Sequence, residues 1–463
     1  MRLDWRHLGT GLADAADGAV VELQGFPATP APVTHAACFV LLAEAPCCGG
    51  CLPADPLGAV EVFAAASLPL HQGALRLQGR WEVRRNTGGW RYRLRDARSL
   101  DPPGWSGLTR RGLLAAGGPL MCLAACAPGV RAAGPDAARA VLAATPAVDT
   151  HSHAGGIASV ARMRRGAGFS PIAAPMRSGG LAVACLAVVS DGPTHHIAAD
   201  GRIHPYRTPA PGELSNYAAV AFAGLLDLAR AERLTLIADA AGMRAARAGM
   251  PSAIVAAEGA DFLEGRLDGL ETAHARWTLR HLQLTHYRVN ELGDIQTEAP
   301  EHGGLTDFGA EVVRACNRLG LVVDVAHGTL PLVKRAAAVT TKPLVLSHTS
   351  LARAPGPRSR QITAEHAKVV ADTGGVVGVW PPASIFPTLP AMAAGIARMV
   401  DAAGIDHVGL GSDLRGLVGP SVLPDYDSLP ALADALLGAG FNAEETGKLL
   451  GGNYARVFLA SVR

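Results

Sequence analysis

Eight apolar runs of strand length, alternating with helical stretches, fill the chain from Ala137 onward, and no other feature limits the fold as strongly. They are "PAVDTHSHA", "LAVACLAVVSD", "SAIVAAEG", "HLQLTH", "LVVDVAH", "PLVLSH", "GGVVGVW" and "HVGLGSD". Between them lie stretches such as "NYAAVAFAGLLDLARAERL" and "DFGAEVVRACNRLG" that read as helices. This alternation predicts βα units around a parallel sheet, and eight such strands predict a closed (β/α)8 barrel of the TIM type over residues 137–463.

The C-terminal ends of the strands of such a barrel meet on one rim, and that rim carries its chemistry. Here the runs end on His151 and His153, then Asp191, Glu258, His286, His327, His348, Trp380 and Asp413. Taken singly, each has an ordinary explanation, such as a capping residue or a loop charge. Solvated loops alone do not explain why every run except the one ending in Trp380 finishes on a metal-ligand or acid–base residue type.

Side chains two apart on a strand share a face, so His151 and His153 point together into the barrel mouth, as two ligands of one cation would. Histidine, carboxylate and water form a typical ligand set for zinc, and manganese, iron or cobalt accept similar sets. Glu258 is placed to bridge to a second ion, and His327 and His348 to complete that second position. Gly155 and Gly156 let the backbone leave the rim without an intruding side chain.

The chain has 463 residues, too many for one ordinary domain, which leaves room for a second unit before the barrel. Residues 1–105 read as short antiparallel strands, "AVVELQGF", "ACFVLLAE", "AVEVFAA", "ALRLQGRWEV" and "WRYRLRDARSL", and predict a small all-β domain of the OB kind. Residues 106–136 join the two units. Within them "TRRGLLAAGGPLMCLAACAPG" has adjacent arginines, an uncharged stretch long enough to cross a bilayer as a helix, and a lipoprotein-like Leu123–Cys126 box. It looks like a twin-arginine export signal placed inside the chain. It is read as a start signal within a fused frame, a membrane-crossing linker or an internal apolar helix. The first two favour an exported or membrane-associated protein on the periplasmic side of a bacterium, held through residues 109–130.

Lys plus Arg number 42 against 40 acidic residues, and the arginines are scattered, so nucleic acid is not an expected partner. Cys185 and Cys316 sit in apolar or helical stretches and read as buried thiols, whereas Cys47, Cys48 and Cys51 in "CCGGC" offer C-x-x-C spacing for a metal or a redox pair.

From about Pro146 to the end the chain resembles the membrane dipeptidase (renal dipeptidase) family of metallopeptidases, a branch of the amidohydrolase-type barrels. The resemblance rests on "VDTHSHAGG", "AIVAAEGADFL", "RHLQLTHYRVNELGD", "GLTDFGAEVVRACNRLGLVVDVAH", "PLVLSHTS", "RSRQIT", "HVGLGSD" and "LLGGNYARVF", in the family's order. It implies a hydrolase that cleaves the amide bond of a dipeptide with two divalent ions, most simply zinc. His151 and His153 would hold one ion, Glu258 both, and His327 and His348 the other. His286 matches the residue that contacts the substrate carbonyl, Asp413 the acid that handles protons, and Arg360 the arginine that grips the terminal carboxylate, with Arg358 as its neighbour for that role. Two ions about 3.5–4 Å apart would share a water acidic enough to attack as hydroxide.

Two positions depart from the family pattern. His153 stands where aspartate is usual, and Arg415 replaces the second aspartate after Asp413. Arg415 would bind an acidic substrate group or reach solvent, with solvent favoured. The rival readings are an amidohydrolase acting on a lactam, lactone or N-acyl amino acid, and a membrane-tethered metal-binding protein without catalysis; a homodimer is allowed for. His195 and His196 read as lining the substrate entrance or as a solvated loop, with the loop favoured, the stretch "GPTHHIAADGRIHPYRTPAPG" as an irregular lid, and Trp380 as a pocket wall or a barrel plug.

Overall fold

The computed structural model describes residues 3, 5–8, 11–28, 35–42, 59–69, 74–83, 92–100, 135–158, 169–352 and 354–462. The chain divides into two units, Met1–Ala127 and Pro128–Arg463. Residues 109–130 and Cys47, Cys48 and Cys51 lie outside the described residues. Among the described residues no helix is long and apolar enough to cross a membrane.

In the first unit β1 (Val20–Ala28), β2 (His35–Leu42), β3 (Ala59–Pro69), β4 (Leu75–Val83) and β5 (Tyr92–Ser99) close a barrel in the order β1-β2-β3-β5-β4. Every pairing is antiparallel except β3 with β5. Alternation along β4 turns Leu75, Leu77, Trp81 and Val83 inward, and Trp81 stacks on Tyr92 with ring centroids 5.1 Å apart.

In the second unit the strands are β6 (Ala147–Ser152), β7 (Leu181–Val189), β8 (His195–Ile197), β9 (Ile203–Pro205), β10 (Thr235–Leu236), β11 (Ser252–Glu258), β12 (Leu279–Gln283), β13 (Val322–Asp324), β14 (Leu344–Thr349), β15 (Val376–Val379) and β16 (Val408–Leu410). β6, β7 and β11–β16 form an all-parallel eight-stranded closed barrel, with β16 returning to β6 at Leu410 and Asp149. Each of the eight predicted runs overlaps one of these strands, and the order follows the sequence, as right-handed βα connections require. β8 and β9 pair antiparallel with His196 opposite His204, so the stretch expected to be an irregular lid is an ordered hairpin. Its short alternating strands carry too few apolar residues to have shown this period in the sequence.

Four successive outer helices start alike. Thr306, Thr329, Thr363 and Thr388 each accept a backbone N–H three residues on, which satisfies one orphan donor of the first turn. These helices lay Val312, Val313, Leu332, Val333, Ala367, Val370, Met392 and Ile396 against the strands as a continuous apolar layer. The motif "GGNYARVF" ties the C-terminal helix Asn453–Ser461 to the foot of the barrel, because the Asn453 amide donates to the carbonyls of Ile405 (2.7 Å) and Val408 (2.9 Å).

The barrel interior is narrow below the rim. Thr150 Oγ1 donates to the carbonyls of Ser347 (2.8 Å) and Leu410 (2.9 Å), and Gly378 and Gly411 face the same carbonyl of Ser347. A Cβ on Gly378 would stand 1.8 Å from that oxygen. Gly378→Ala should therefore destabilise the protein by about 3 kcal/mol, the upper end of overpacking costs. Thermal unfolding followed by circular dichroism should show a lowered Tm, and an unchanged Tm would mean the interior is looser than described.

Candidate active site

Barrel closure brings the strand ends together around one carboxylate. Glu258, the last residue of β11, is buried, and five imidazole Nε2 atoms surround it. Its Oε1 lies 3.4 Å from His151, 3.2 Å from His327 and 3.4 Å from His348, and its Oε2 lies 3.0 Å from His153 and 3.3 Å from His286. Asp413 Oδ1 stands 3.6 Å from His153 Nε2. Thus His151, His153, Glu258, His286, His327, His348 and Asp413, spread over the text of the chain, meet at one mouth.

The rings are held from behind. His153 Nδ1 lies 2.8 Å from the Ala187 carbonyl, which obliges that nitrogen to carry the proton and leaves Nε2 with its lone pair toward Glu258. His348 Nδ1 is 2.9 Å from Ser347 Oγ, and His286 Nδ1 is 2.7 Å from Asp191 Oδ1. Asp191 also accepts the Tyr287 N–H (3.0 Å). Nε2 of His151 is only 3.2 Å from that of His153, and Nε2 of His327 only 3.1 Å from that of His348. Lone pairs so close repel unless a proton or a cation lies between them. Histidine nitrogens sharing one carboxylate, with oriented outer partners, are what divalent cations such as zinc accept. The residues present therefore fit a metal centre.

Charge at the mouth follows from burial and neighbours. Burial works against the charged form of His151, but Glu258 and Asp413 outweigh it and raise its pKa to about 9. Burial pushes His348 down to about 3 and His327 well below its ordinary value. Burial also raises Asp413 to about 6, with Glu258 adding to the rise against His153, His151 and Arg360. Glu258 stays far below the usual carboxylate range, since His286 and His151 overcome its burial. Two of these residues, His327 (φ 67°) and Asp413 (φ 48°), hold left-handed backbone that non-glycine residues rarely adopt, a strain typical of functional sites.

Above the cluster opens a cavity of about 870 Å³ whose wall includes Arg360, Trp380, Tyr287, His195 and Arg415. Arg360 Nη1 donates to Gln296 Oε1 (2.7 Å) and Nη2 to the His348 carbonyl (3.3 Å), with the guanidinium 5.5 Å over the Trp380 ring. Its buried Nε has no partner among the described residues. Arg358 is exposed, and its carbonyl accepts from Arg202, so the geometry places Arg360 and not Arg358 at the cavity. Trp380 is a wall, its indole N–H donating to Ser350 Oγ (3.2 Å).

His196 is exposed, as a solvated position would be, though it lies on β8, whereas for His195 the favoured solvated-loop reading fails and the substrate-entrance alternative fits. His195 lines the cavity with Nδ1 3.3 Å from Asp191 Oδ1, four residues earlier. Tyr287, burial of which raises its pKa to about 12, and Gln296 were likewise not singled out by the sequence. The adjacency of Tyr287 to His286 was the one signal available.

Comparison with known proteins bears on the family and the fold. Residues 218–462 match the model of the family described as membrane dipeptidase (peptidase family M19). Dipeptidase aclJ of Aspergillus oryzae is 32% identical over 222 residues, 45% of this chain and 51% of that protein. Dipeptidase tcpJ of Claviceps purpurea is 32% identical over 230 residues, 46% of this chain and 52% of that protein. The chain thus spans about half the length of the curated relatives it matches. A solved metallopeptidase of Rhodobacter sphaeroides, liganded with a phosphinate mimic of the dipeptide L-Ala-D-Ala, superposes with a TM-score of 0.59 at 25% identity, covering 68% of this chain and 99% of that one.

The β8–β9 hairpin beside the cavity is clasped by His204, whose Nδ1 lies 2.7 Å from Glu298 Oε1 and whose Nε2 lies 3.0 Å from Asp200 Oδ2. Both nitrogens donate only in the imidazolium, and the bonds to Asp200 and Glu298 raise the His204 pKa above its ordinary value. A raised pKa makes the clasp's contribution complete below the unfolded value of about 6.5 and removes it as pH climbs through the folded value. Limited proteolysis at the hairpin should therefore be faster in His204→Gln than in the parent at pH 6, and the difference should shrink as pH rises, because a neutral ring donates to only one of the two carboxylates. A difference that does not diminish with rising pH would contradict the clasp.

Proposed function

The chain belongs to the membrane dipeptidase family, peptidase family M19, and from that premise we propose that it is a metal-dependent dipeptidase. The observation that carries the proposal is the gathering of five imidazole nitrogens on Glu258 beneath a cavity that also presents Arg360. The family match begins at residue 218, past His151 and His153, so those two rest on geometry alone. The dipeptide mimic bound by the Rhodobacter sphaeroides relative supports a dipeptide as the substrate class.

In this proposal His151 and His153 with Glu258 would hold one divalent ion, and His327 and His348 with Glu258 would hold a second, zinc being the simplest occupant. Bound there, such ions would supply Lewis acidity and make a water acidic enough to act as the nucleophile near neutral pH. Arg360 pairs with the substrate's terminal carboxylate through two parallel hydrogen bonds and so fixes the length and direction of the dipeptide. His286, held by Asp191, steadies the carbonyl oxygen as it gains negative charge. Asp413 accepts a proton from water and delivers it to the departing amine, so that OH joins the carbonyl carbon and H the nitrogen as the C–N bond breaks. The small N-terminal barrel is proposed to be of the OB kind, on its β1-β2-β3-β5-β4 order and its parallel β3–β5 closure.

Hydrolysis of L-Ala-L-Ala by the zinc-loaded protein should vanish with a chelator and return with zinc. Asp413→Asn should retain its metal yet lose about 10²–10⁴ of kcat, the range of a proton-transfer group. Activity that survives the chelator would remove the metals from the reaction, and full turnover in Asp413→Asn would remove that residue. Arg360→Ala should act mainly on KM, raising it by about tenfold or more for dipeptides with a free C-terminal carboxylate. An equal rise for C-terminally amidated dipeptides would argue against the clamp.

A further inference from the structure

We propose that Arg415 gives the site a preference for dipeptides that carry a second, side-chain carboxylate. The inference rests on the dipeptidase reading and deepens it.

Arg415 was expected to reach solvent. It is exposed, and it also lines the cavity above the metal-ligand cluster, two residues beyond Asp413. The loop that presents it is tightly held. Leu414 bridges to Ser152 of β6, and its carbonyl accepts from His153 N (2.9 Å). The N–H groups of Gly416 (2.9 Å) and Leu417 (3.3 Å) turn back onto the Asp413 carbonyl. A Cβ on Gly416 would stand 2.0 Å from Asp413 Oδ1 and 2.5 Å from His153 Cδ2, so the turn passes directly over the site and glycine is needed there. Arg415 itself holds left-handed backbone at φ 70°, an unfavourable conformation for a side chain of this kind, which the surrounding bonds impose.

Despite that fixed placement, the guanidinium makes no hydrogen bond or ion pair among the described residues. The other carboxylate of the outer wall, Glu213, is already paired with Arg207, Nη1 to Oε2 at 2.9 Å. Glu258 and Asp413 belong to the cluster at the base. The cavity therefore holds two arginines with distinct standing. Arg360 is anchored by Gln296 and the His348 carbonyl and suits an invariant group of the substrate, its terminal carboxylate. Arg415 has no partner for its five donors among the described residues and sits on a long stem at the mouth, and so suits a group that varies between substrates. A carboxylate is the chemical complement, because it accepts two parallel bonds from a guanidinium.

The test compares L-Ala-L-Glu with L-Ala-L-Gln and L-Glu-L-Ala with L-Gln-L-Ala on the zinc-loaded full chain. Each member of a pair has nearly the same shape, so their ratio isolates charge. The ratio is read as kcat/KM where the peptide is hydrolysed and as Kd by calorimetry where it is not. In at least one pair the acid should be favoured by about tenfold, the worth of one charge-assisted contact. That ratio should fall to near one in Arg415→Gln and persist in Arg415→Lys. A ratio near one in the parent, an unchanged ratio in Arg415→Gln, or no measurable binding of either pair would overturn the assignment. Binding that discriminates without hydrolysis would uphold Arg415 and defeat the dipeptidase reading.

Discussion

The site depends on one buried carboxylate. Glu258 is 2% exposed and carries negative charge in a place where charge is costly, and the chain answers by surrounding it with imidazoles from the end of β6, from β14 and from the loops after β12 and β13. No single strand could do this. The closed parallel barrel does, because pairing of β16 with β6 brings the ends of β6 and β14, remote in sequence, onto one rim with the end of β11. Five imidazole nitrogens crowded on one carboxylate are best accommodated with positive charge among them, and divalent cations meet that need better than protons forced onto His327 and His348, which burial depletes of them.

Beneath this layer, two further buried acids fix the loops that bear the site residues. Asp149 accepts from Ser412 N (2.7 Å), from the Ser412 hydroxyl and from Tyr426 OH (2.9 Å), and so sets the start of the loop carrying Asp413 and Arg415. Asp324 accepts from Ala326 N (2.9 Å), Ser347 N (3.1 Å) and His281 Nε2 (3.1 Å), and so sets the approach to both His327 and His348. Left-handed backbone at His327 and Asp413 persists because these bonds over-determine it. Rigid placement of this kind is what metal-assisted hydrolysis asks of a protein, since the ions supply the chemistry and the chain supplies position.

Much of the barrel could be read before any coordinates, for a physical reason. Parallel strands buried on both faces are continuous apolar runs, so "LAVACLAVV" and "PLVLSH" stand out against their surroundings, and each then exposes its last residue at the rim. His151, His153, Glu258, His286, His327, His348 and Asp413 were legible on that account. Asp149 and Asp324 gave a weaker sign, an acid inside an apolar run two or three residues before a histidine, whose meaning lies in backbone bonds that no spacing reveals. Tyr287 and Gln296 come from loops and His195 from the short strand β8, where position follows from tertiary packing and not from period. The order of the β8–β9 hairpin and the placement of Arg360 on the cavity wall, with Arg358 exposed, follow from contacts of the same kind.

The central claim is that this histidine–carboxylate cluster is built to hold divalent cations. Anomalous diffraction at the zinc edge, from crystals of the full chain grown with zinc, tests it most directly. The account predicts peaks lying between the Glu258 carboxylate and the Nε2 atoms of His151, His153, His327 and His348. An empty cluster, or peaks found only elsewhere on the protein, would contradict it.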